Sequence, residues 1–355
     1  MKSIERRKTR RIYYDDVPVG GDSPITVQSM LTVAARNVDE AIGEIESLVE
    51  VGCEIVRVAV QNSEDAKAIE KIADISPIPV IADIHFDYRL AVEAAEHGAA
   101  GLRINPGNIG GEEKVRRVIE AAKKGNIAIR IGVNSGSVEE EFARVYEADP
   151  ARALFLSAEK YIGMMERMDF EDIVVSLKSS DPTVTIEANR MFSSAYEYPL
   201  HIGVTEAGPA LSGAARSVVA LTILLIEGIG DTVRISLSGD PVNEVIVARA
   251  MLSSMGLRDD IPQIVSCPTC GRSWIDVQAI AEKLERRLMG LKKSIKVAVM
   301  GCEVNGPGEA KEADIGIAGT RGGAVVFEQG RVLKTITGDI VESFAEEVAK
   351  FVGEK

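Results

Sequence analysis

The sequence predicts an α/β protein, a (β/α)8 barrel followed by a small α+β domain. Three observations carry that expectation. From about residue 25 to 260 one pattern recurs, an amphipathic helix ending in Gly and then a short Val/Ile-rich run. Eight such runs are spaced along this region. Beyond residue 260 the alternation gives way to strand, helix, strand, hairpin and helix. A doubly wound open sheet is the competing fold, but eight evenly spaced units favour closure. The boundary near residue 260 gives domains 1–260 and 261–355.

The elements follow in order. "PITVQSM" opens the strand series, and "ESLVEVGCEIVRVAV" holds a helix, a Gly and the second strand. Next come "IPVIADIHFD", "AAEHGAAGLRINPGN" and "AAKKGNIAIRIGVNSGS". "EDIVVSLKSSD", "PLHIGVTEAGP" and "LIEGIGDTVRISLSGDP" complete the eight. Each Gly suits the position after a helix, where a positive φ costs little without a Cβ. The Val/Ile content suits parallel strands covered on both faces. In the second domain "PQIVS" is a strand, "WIDVQAIAEKLERRLMG" a helix, and "SIKVAVM" and "ADIGIAGT" strands. "GAVVFEQGRVLKTIT" reads as a hairpin and "IVESFAEEVAKFVG" as a closing helix.

Composition narrows the function. The 355 residues are 46% hydrophobic and 27% charged, a globular mixture, and the net charge of −13 argues against a general nucleic-acid binder. The basic start "MKSIERRKTRRIYY" lacks the apolar core of a secretory signal. "SVVALTILLIEGIG" is too short to span a bilayer and reads as a buried helix. No membrane association is expected. Four cysteines without a signal place the chain in a reducing cytoplasm, where Cys-x-x-Cys is metal-binding or catalytic more often than a structural disulfide.

Cations sit inside the apolar strands: Arg57, Arg103, Arg130, Lys178 and Arg234. One such residue is usually a snorkelling side chain, but five on five of eight strands are harder to dismiss, because a buried cation is costly unless paired. Residues two or four apart on a strand face the same way. Arg103 therefore shares a face with Asn105, Arg130 with Asn134, and Arg234 with Ser236. Strand C-terminal ends form the active face of such barrels, and Arg forks match phosphate oxygens. The pattern describes a site for a small anion. His85 and Glu206 also fall at strand ends. A carboxylate beside an anion pocket points to proton transfer or metal work, although a solvated or Arg-paired Glu is an equally simple reading. His201 reads as structural at the barrel bottom, His97 as a surface residue and Cys53 as a small buried hydrophobe.

"VSCPTCGRSW" places Cys267 and Cys270 between a strand and a helix, and Cys302 follows in "VMGCEVNGPGEA". A thioredoxin-like pair needs no third cysteine. A structural zinc usually shows two Cys-x-x-Cys pairs or added His, and this domain has no His. An iron–sulfur cluster takes thiolates from loops such as "GCEVNGPGE". Spacing alone leaves cluster and zinc nearly even.

"SCPTCGR" and "GCEVNGPGEA", with "ADIHFDYRLA", "LRINPGNIG", "IRIGVNSGS" and "HIGVTEAG", closely resemble the 4-hydroxy-3-methylbut-2-enyl diphosphate synthases of the non-mevalonate (methylerythritol phosphate) isoprenoid route. The resemblance covers essentially the whole chain. It implies a TIM barrel followed by a 4Fe–4S domain like those of sulfite and nitrite reductases. The implied reaction reduces 2-C-methyl-D-erythritol 2,4-cyclodiphosphate to (E)-4-hydroxy-3-methylbut-2-enyl diphosphate, with reduced flavodoxin or ferredoxin as electron donor. The implied cluster ligands are Cys267, Cys270, Cys302 and Glu309. A carboxylate binds iron more exchangeably than a thiolate, so Glu309 is the weak ligand. The implied diphosphate contacts are Arg57, His85, Arg103, Asn105, Arg130, Asn134, Lys178, Arg234 and Ser236. Glu206 matches a proton donor, and Asn305 a residue near the substrate oxygens. The family is homodimeric, with one chain's cluster domain capping its partner's barrel. The alternative is a barrel binding a phosphorylated or pterin-like ligand, with a structural zinc in its tail.

Overall fold

The computed structural model describes residues 4–304, 308 and 311–353. Two compact units emerge, Met1–Met251 and Leu252–Lys355. The first begins with a hairpin, β1 (Ile12–Tyr14) and β2 (Val17–Val19). Eight strands follow: β3 (Thr26–Met30), β4 (Ile55–Ala59), β5 (Val80–Ile84), β6 (Gly101–Ile104), β7 (Ala128–Asn134), β8 (Ile173–Lys178), β9 (His201–Ile202) and β10 (Thr232–Val233). They pair in the order β8-β7-β6-β5-β4-β3-β10-β9. Val175 and Leu200 form a parallel bridge between the two end strands, where the Val175 N–H donates to the Pro199 carbonyl at 2.9 Å. The ring therefore closes, and its strands are the eight runs read from the sequence.

Helices between the strands start where the sequence supplies caps. The Asn62 side chain accepts from the Asp65 N–H at the head of Ser63–Ile75, and Asp181 accepts from Thr183 ahead of Pro182–Ala195. Gly52 takes the expected left-handed conformation (φ 87°) before β4. The repeat before β7 departs from expectation. Gly125 is the last helical residue, and Asn126 adopts φ 51°, its N–H bonded to the carbonyls of Ala122 and Lys123. Asn tolerates this region because its short polar side chain bonds locally.

The helix Ala210–Ile226 corrects a second expectation. Its inner stripe, including Leu221, Leu224 and Leu225, is buried, but Leu211, Val219 and Ile226 are exposed. A barrel helix lies in a single outer ring and covers only its inward stripe. Among the described residues no helix is long and apolar enough to cross a membrane.

The basic N-terminal segment, unassigned by the sequence, ties down the barrel's N-terminal end. Arg6 Nη2 pairs with Asp231 Oδ1 at 2.9 Å, and Thr9 Oγ1 donates to the same oxygen at 2.9 Å. Arg7 Nη2 donates to the Tyr198 carbonyl at 2.8 Å. The hairpin then plugs this end. Ile12, Tyr14 and Val19 pack on Ile55, Ile81, Ala100, Ala128 and Val174, residues at the starts of β4 to β8. Each fully buried aliphatic side chain here contributes about 1.5–3 kcal/mol.

The second unit holds β11 (Gln263–Ser266), β12 (Lys296–Met300), β13 (Ile315–Thr320), β14 (Gly323–Glu328) and β15 (Arg331–Ile336) in one sheet. The first three pair in parallel and the last three antiparallel. Helices Val277–Leu288 and Ile340–Val352 cover one face. Ile280, Leu284, Val297, Val299, Ile317, Phe344 and Val348 form the core between them. All of these elements follow the sequence reading.

Candidate functional site

Strand alternation carries the predicted cations into the barrel interior. Asp83 and Arg103 are register partners on β5 and β6, and Arg103 and Arg130 on β6 and β7. Asn134 and Lys178 pair likewise on β7 and β8. Arg103, Arg130 and Lys178 are buried, while Arg57 and Arg234 are partly so. The five cations repel one another at this depth. Burial, joined by Arg130, Arg57, Arg234 and Arg103, pushes the Lys178 ammonium well below its ordinary pKa. Burial likewise lowers the Arg130 guanidinium to about 10, so it stays charged at neutral pH.

Two carboxylates that sequence reasoning missed hold this array. Asp83 is 2% exposed and meets Arg103 Nη1 at 3.1 Å, Arg57 Nε at 3.4 Å and His85 Nε2 at 3.6 Å. Burial alone raises its pKa, but Arg57, the His85 hydrogen bond and Arg103 together hold it far below the usual carboxylate range. Glu244, buried on Val242–Ser254, accepts from Arg234 Nε and Nη2 at 3.1 Å each and from Ser29 Oγ at 3.1 Å. The signal for Asp83 was present in "IADIHFD", because Asp83 and His85 alternate onto one face. Glu244 lies on a helix, where strand alternation gives no clue.

Two acids against five cations leave positive charge in excess. Lys178 has no acidic partner among the described residues. The remaining predicted residues stand at the C-terminal rim. His85 is exposed beyond β5, its Nε2 3.0 Å from Arg103 Nη1. Asn105 Nδ2 donates to Ser137 Oγ at 2.8 Å. Ser236 lies partly exposed two residues beyond Arg234. Glu206 is exposed after β9, with a left-handed backbone (φ 52°) rare for a non-glycine residue. Such strained positions concentrate at functional sites.

The bland readings hold too. His97 pairs with Glu70 at 2.9 Å on the outer surface. Cys53 is buried, and burial pushes its thiol up to about 12, which leaves it inert.

In the second unit Cys267 follows β11 and Cys302 follows β12, and these strands are parallel neighbours. Their C-terminal ends therefore present both cysteines at one end of the sheet, with Cys270 three residues beyond Cys267. The Gly301 N–H donates to Cys267 Sγ at 3.1 Å. Cys270 is exposed and Cys302 partly so. Among the described residues no three His, Cys, Asp or Glu side chains converge as a single metal ion would require. A cubane cluster asks less, since each of its irons takes its own ligand, and three thiolates with one backbone N–H to sulfur fit that donor chemistry. Asn305 and Glu309 lie outside the described residues.

Comparison with known proteins gives one answer for both units. The family description "GcpE TIM-barrel domain" matches residues 9–249, and "GcpE protein C-terminal domain" matches residues 263–350. A Maridesulfovibrio salexigens relative is 49% identical over 354 residues, covering 99% of each chain. One from Lawsonia intracellularis is 50% identical over 351 residues, covering 98% of each. Both are named 4-hydroxy-3-methylbut-2-en-1-yl diphosphate synthase (flavodoxin). Among solved structures, Yersinia pestis dihydropteroate synthase aligns over 69% of this chain and 98% of its own, with a TM-score of 0.50 at 14% identity. The sialic acid synthetase of Leptospira borgpetersenii aligns over 71% and 92%, with a TM-score of 0.50 at 12% identity. At such identities the likeness shows the barrel fold alone.

Proposed function

The chain belongs to the GcpE family over both of its domains, and on that premise we propose that it is a 4-hydroxy-3-methylbut-2-enyl diphosphate synthase. It reduces 2-C-methyl-D-erythritol 2,4-cyclodiphosphate to (E)-4-hydroxy-3-methylbut-2-enyl diphosphate and water, in the non-mevalonate route to isoprenoids. The observation that carries this reading is the layer of Arg57, Arg103, Arg130, Lys178 and Arg234, held among the described residues by the carboxylates of Asp83 and Glu244.

The excess charge is preorganised for a diphosphate, and fixed guanidinium forks stabilise the negative charge that grows as the cyclic diphosphate opens. Asp83 keeps Arg57, Arg103 and His85 in one orientation, so little reorganisation is left for binding. Asn105, Asn134 and Ser236 complete the diphosphate contacts at the rim. Glu206, exposed beyond β9, is the carboxylate that delivers a proton to the departing oxygen or the allylic carbon. Asn305 orients the substrate oxygens.

In this reading residues 1–260 hold the diphosphate and residues 261–355 hold a 4Fe–4S cluster through Cys267, Cys270, Cys302 and Glu309. When bound, that cluster supplies the electrons and a Lewis-acidic iron. Reduced flavodoxin or ferredoxin recharges it. The enzyme works in the cytoplasm as a homodimer, the cluster domain of one chain capping its partner's barrel and excluding water. The rival reading, a phosphate- or pterin-binding barrel with a zinc tail, is not favoured, because both domains match one family and no three donors among the described residues converge on a single ion.

Anaerobically purified protein, given reduced flavodoxin and the cyclic diphosphate, is expected to be brown and to form the open-chain product. Iron and sulfide should be present in equal amounts. Colourless protein with one zinc per chain and no product would sink the proposal.

A further inference from the structure

Beneath the cation layer the barrel lumen gathers polar atoms that have no partner. Arg130 Nε and Nη2, Gln28 Nε2, Tyr14 Oη, Thr26 Oγ1, Thr232 Oγ1 and both ring nitrogens of His201 are buried without a hydrogen bond among the described residues. They are neighbours in the fold. Thr26, Thr232 and His201 stand side by side in register on β3, β10 and β9. Gln28 shares the inward face of Thr26, and its Oε1 accepts from Arg130 Nη1 at 3.3 Å. Tyr14 rises from the plug below. It packs with Ala128, two residues before Arg130 on β7, and a Cβ added at Gly101 would come within 2.4 Å of its ring.

One unpaired buried polar group costs about 1–3 kcal/mol, so this many in one place call for a ligand. The donor set identifies it. Arg130 and Gln28 only donate here, the three hydroxyls donate or accept, and a neutral imidazole offers one donor and one acceptor. Burial, together with Lys178 and Arg130, holds His201 well below its ordinary pKa and hence neutral. Burial also pushes the Tyr14 phenol up to about 12, so its proton stays on. Water accepts from Arg130 and Gln28 and donates to His201 and the hydroxyls. A halide only accepts, and would leave the bare His201 nitrogen unmet. Hydroxyl- and amide-lined interiors of this kind hold ordered water with two to four partners each.

We propose that ordered water fills the lumen beneath the cation layer, and that Tyr14 is a positioning residue that holds Arg130 through this water at the level where the diphosphate binds. The second half rests on the diphosphate reading of the barrel, and the first does not.

Tyr14→Phe removes one oxygen and keeps the shape of the plug. Thr232→Val does the same on the wall. A high-resolution crystal structure of the whole protein should show water within hydrogen-bonding reach of Tyr14 Oη and Arg130 Nε. Calorimetric titration with inorganic pyrophosphate should show about fivefold weaker binding in either variant, at an unchanged melting temperature. A dry lumen or a halide in that density overturns the hydrated chamber. Wild-type affinity in both variants, or a loss that tracks a lower melting temperature, overturns the positioning role. Wild-type protein that binds no pyrophosphate fails the diphosphate reading itself and with it the positioning role, while the lumen density still decides the chamber.

Discussion

Asp83 and Lys178 are the residues on which the site's electrostatics turn. Asp83 lies between three basic groups, so Asp83→Asn leaves the buried Arg103 and the partly buried Arg57 without their counter-charge. Breaking a buried pair from one side costs about 3–5 kcal/mol. A clear drop in melting temperature is expected, with weaker substrate binding, and an unchanged melting temperature would remove Asp83 from the organising role. The pH dependence has a definite sign. The folded carboxyl is held below its unfolded value, so its contribution is complete above about pH 4 and fades as pH falls. Denaturation curves at falling pH should therefore show a shallower acid loss in the Asn variant than in wild type. Lys178 moves the other way on ligand binding. Its ammonium is depressed by burial and neighbouring cations, and an incoming diphosphate favours the charged form. Binding should take up protons and weaken as pH rises. Pyrophosphate titrations in buffers of different ionisation enthalpy measure that uptake, which Lys178→Gln should abolish; no uptake by wild type would contradict the assignment. At this scale the sequence revealed the five cations, because a charge inside an apolar strand is conspicuous. It did not mark Asp83 and Glu244 as their partners, because a carboxylate takes on that role only through the cations the fold brings against it.

Among the elements, β7 shows how closely the interior is fitted. Gly132 lies two residues beyond Arg130, and a Cβ there would come 2.4 Å from Arg103 Nε. Gly132→Ala forces the Arg103 guanidinium to shift, and an expected loosening of its bond to Asp83 costs about 1–3 kcal/mol. Weaker pyrophosphate binding is expected together with lower stability, and wild-type values for both would show that Arg103 has room to spare. The eight barrel strands were legible because Val/Ile-rich runs bounded by Gly and polar caps are a local signal. The β1–β2 plug was not, since two three-residue strands carry no periodicity and acquire their place only against Ile55, Ile81 and Val174. The helix Ala210–Ile226 was misjudged as buried for a related reason. Its apolar content is local, but which of its faces is covered depends on the ring it joins.

For the whole molecule, the proposed dimer places the two halves of each active site on different chains. Mixing a Cys302→Ser chain with a Glu206→Gln chain, each inactive alone, should then restore part of the activity, because one of the hybrid's two sites pairs an intact barrel with an intact cluster domain. No recovery in verified mixed dimers would sink the cross-chain arrangement. The sequence by itself determined the barrel, the two-domain order, the set of interior cations and the three cysteines. Each is written in local pattern or residue type, and the motif resemblance agrees with the family match over both domains. Only the tertiary structure decided which acids hold those cations, where the basic N-terminal segment goes, and that the lumen below Arg130 is lined with polar atoms that have no partner among the described residues. The ion pairs among these join residues 10 to 225 positions apart. Strand register and ring closure set such distances, and neither is written in any single stretch of the chain.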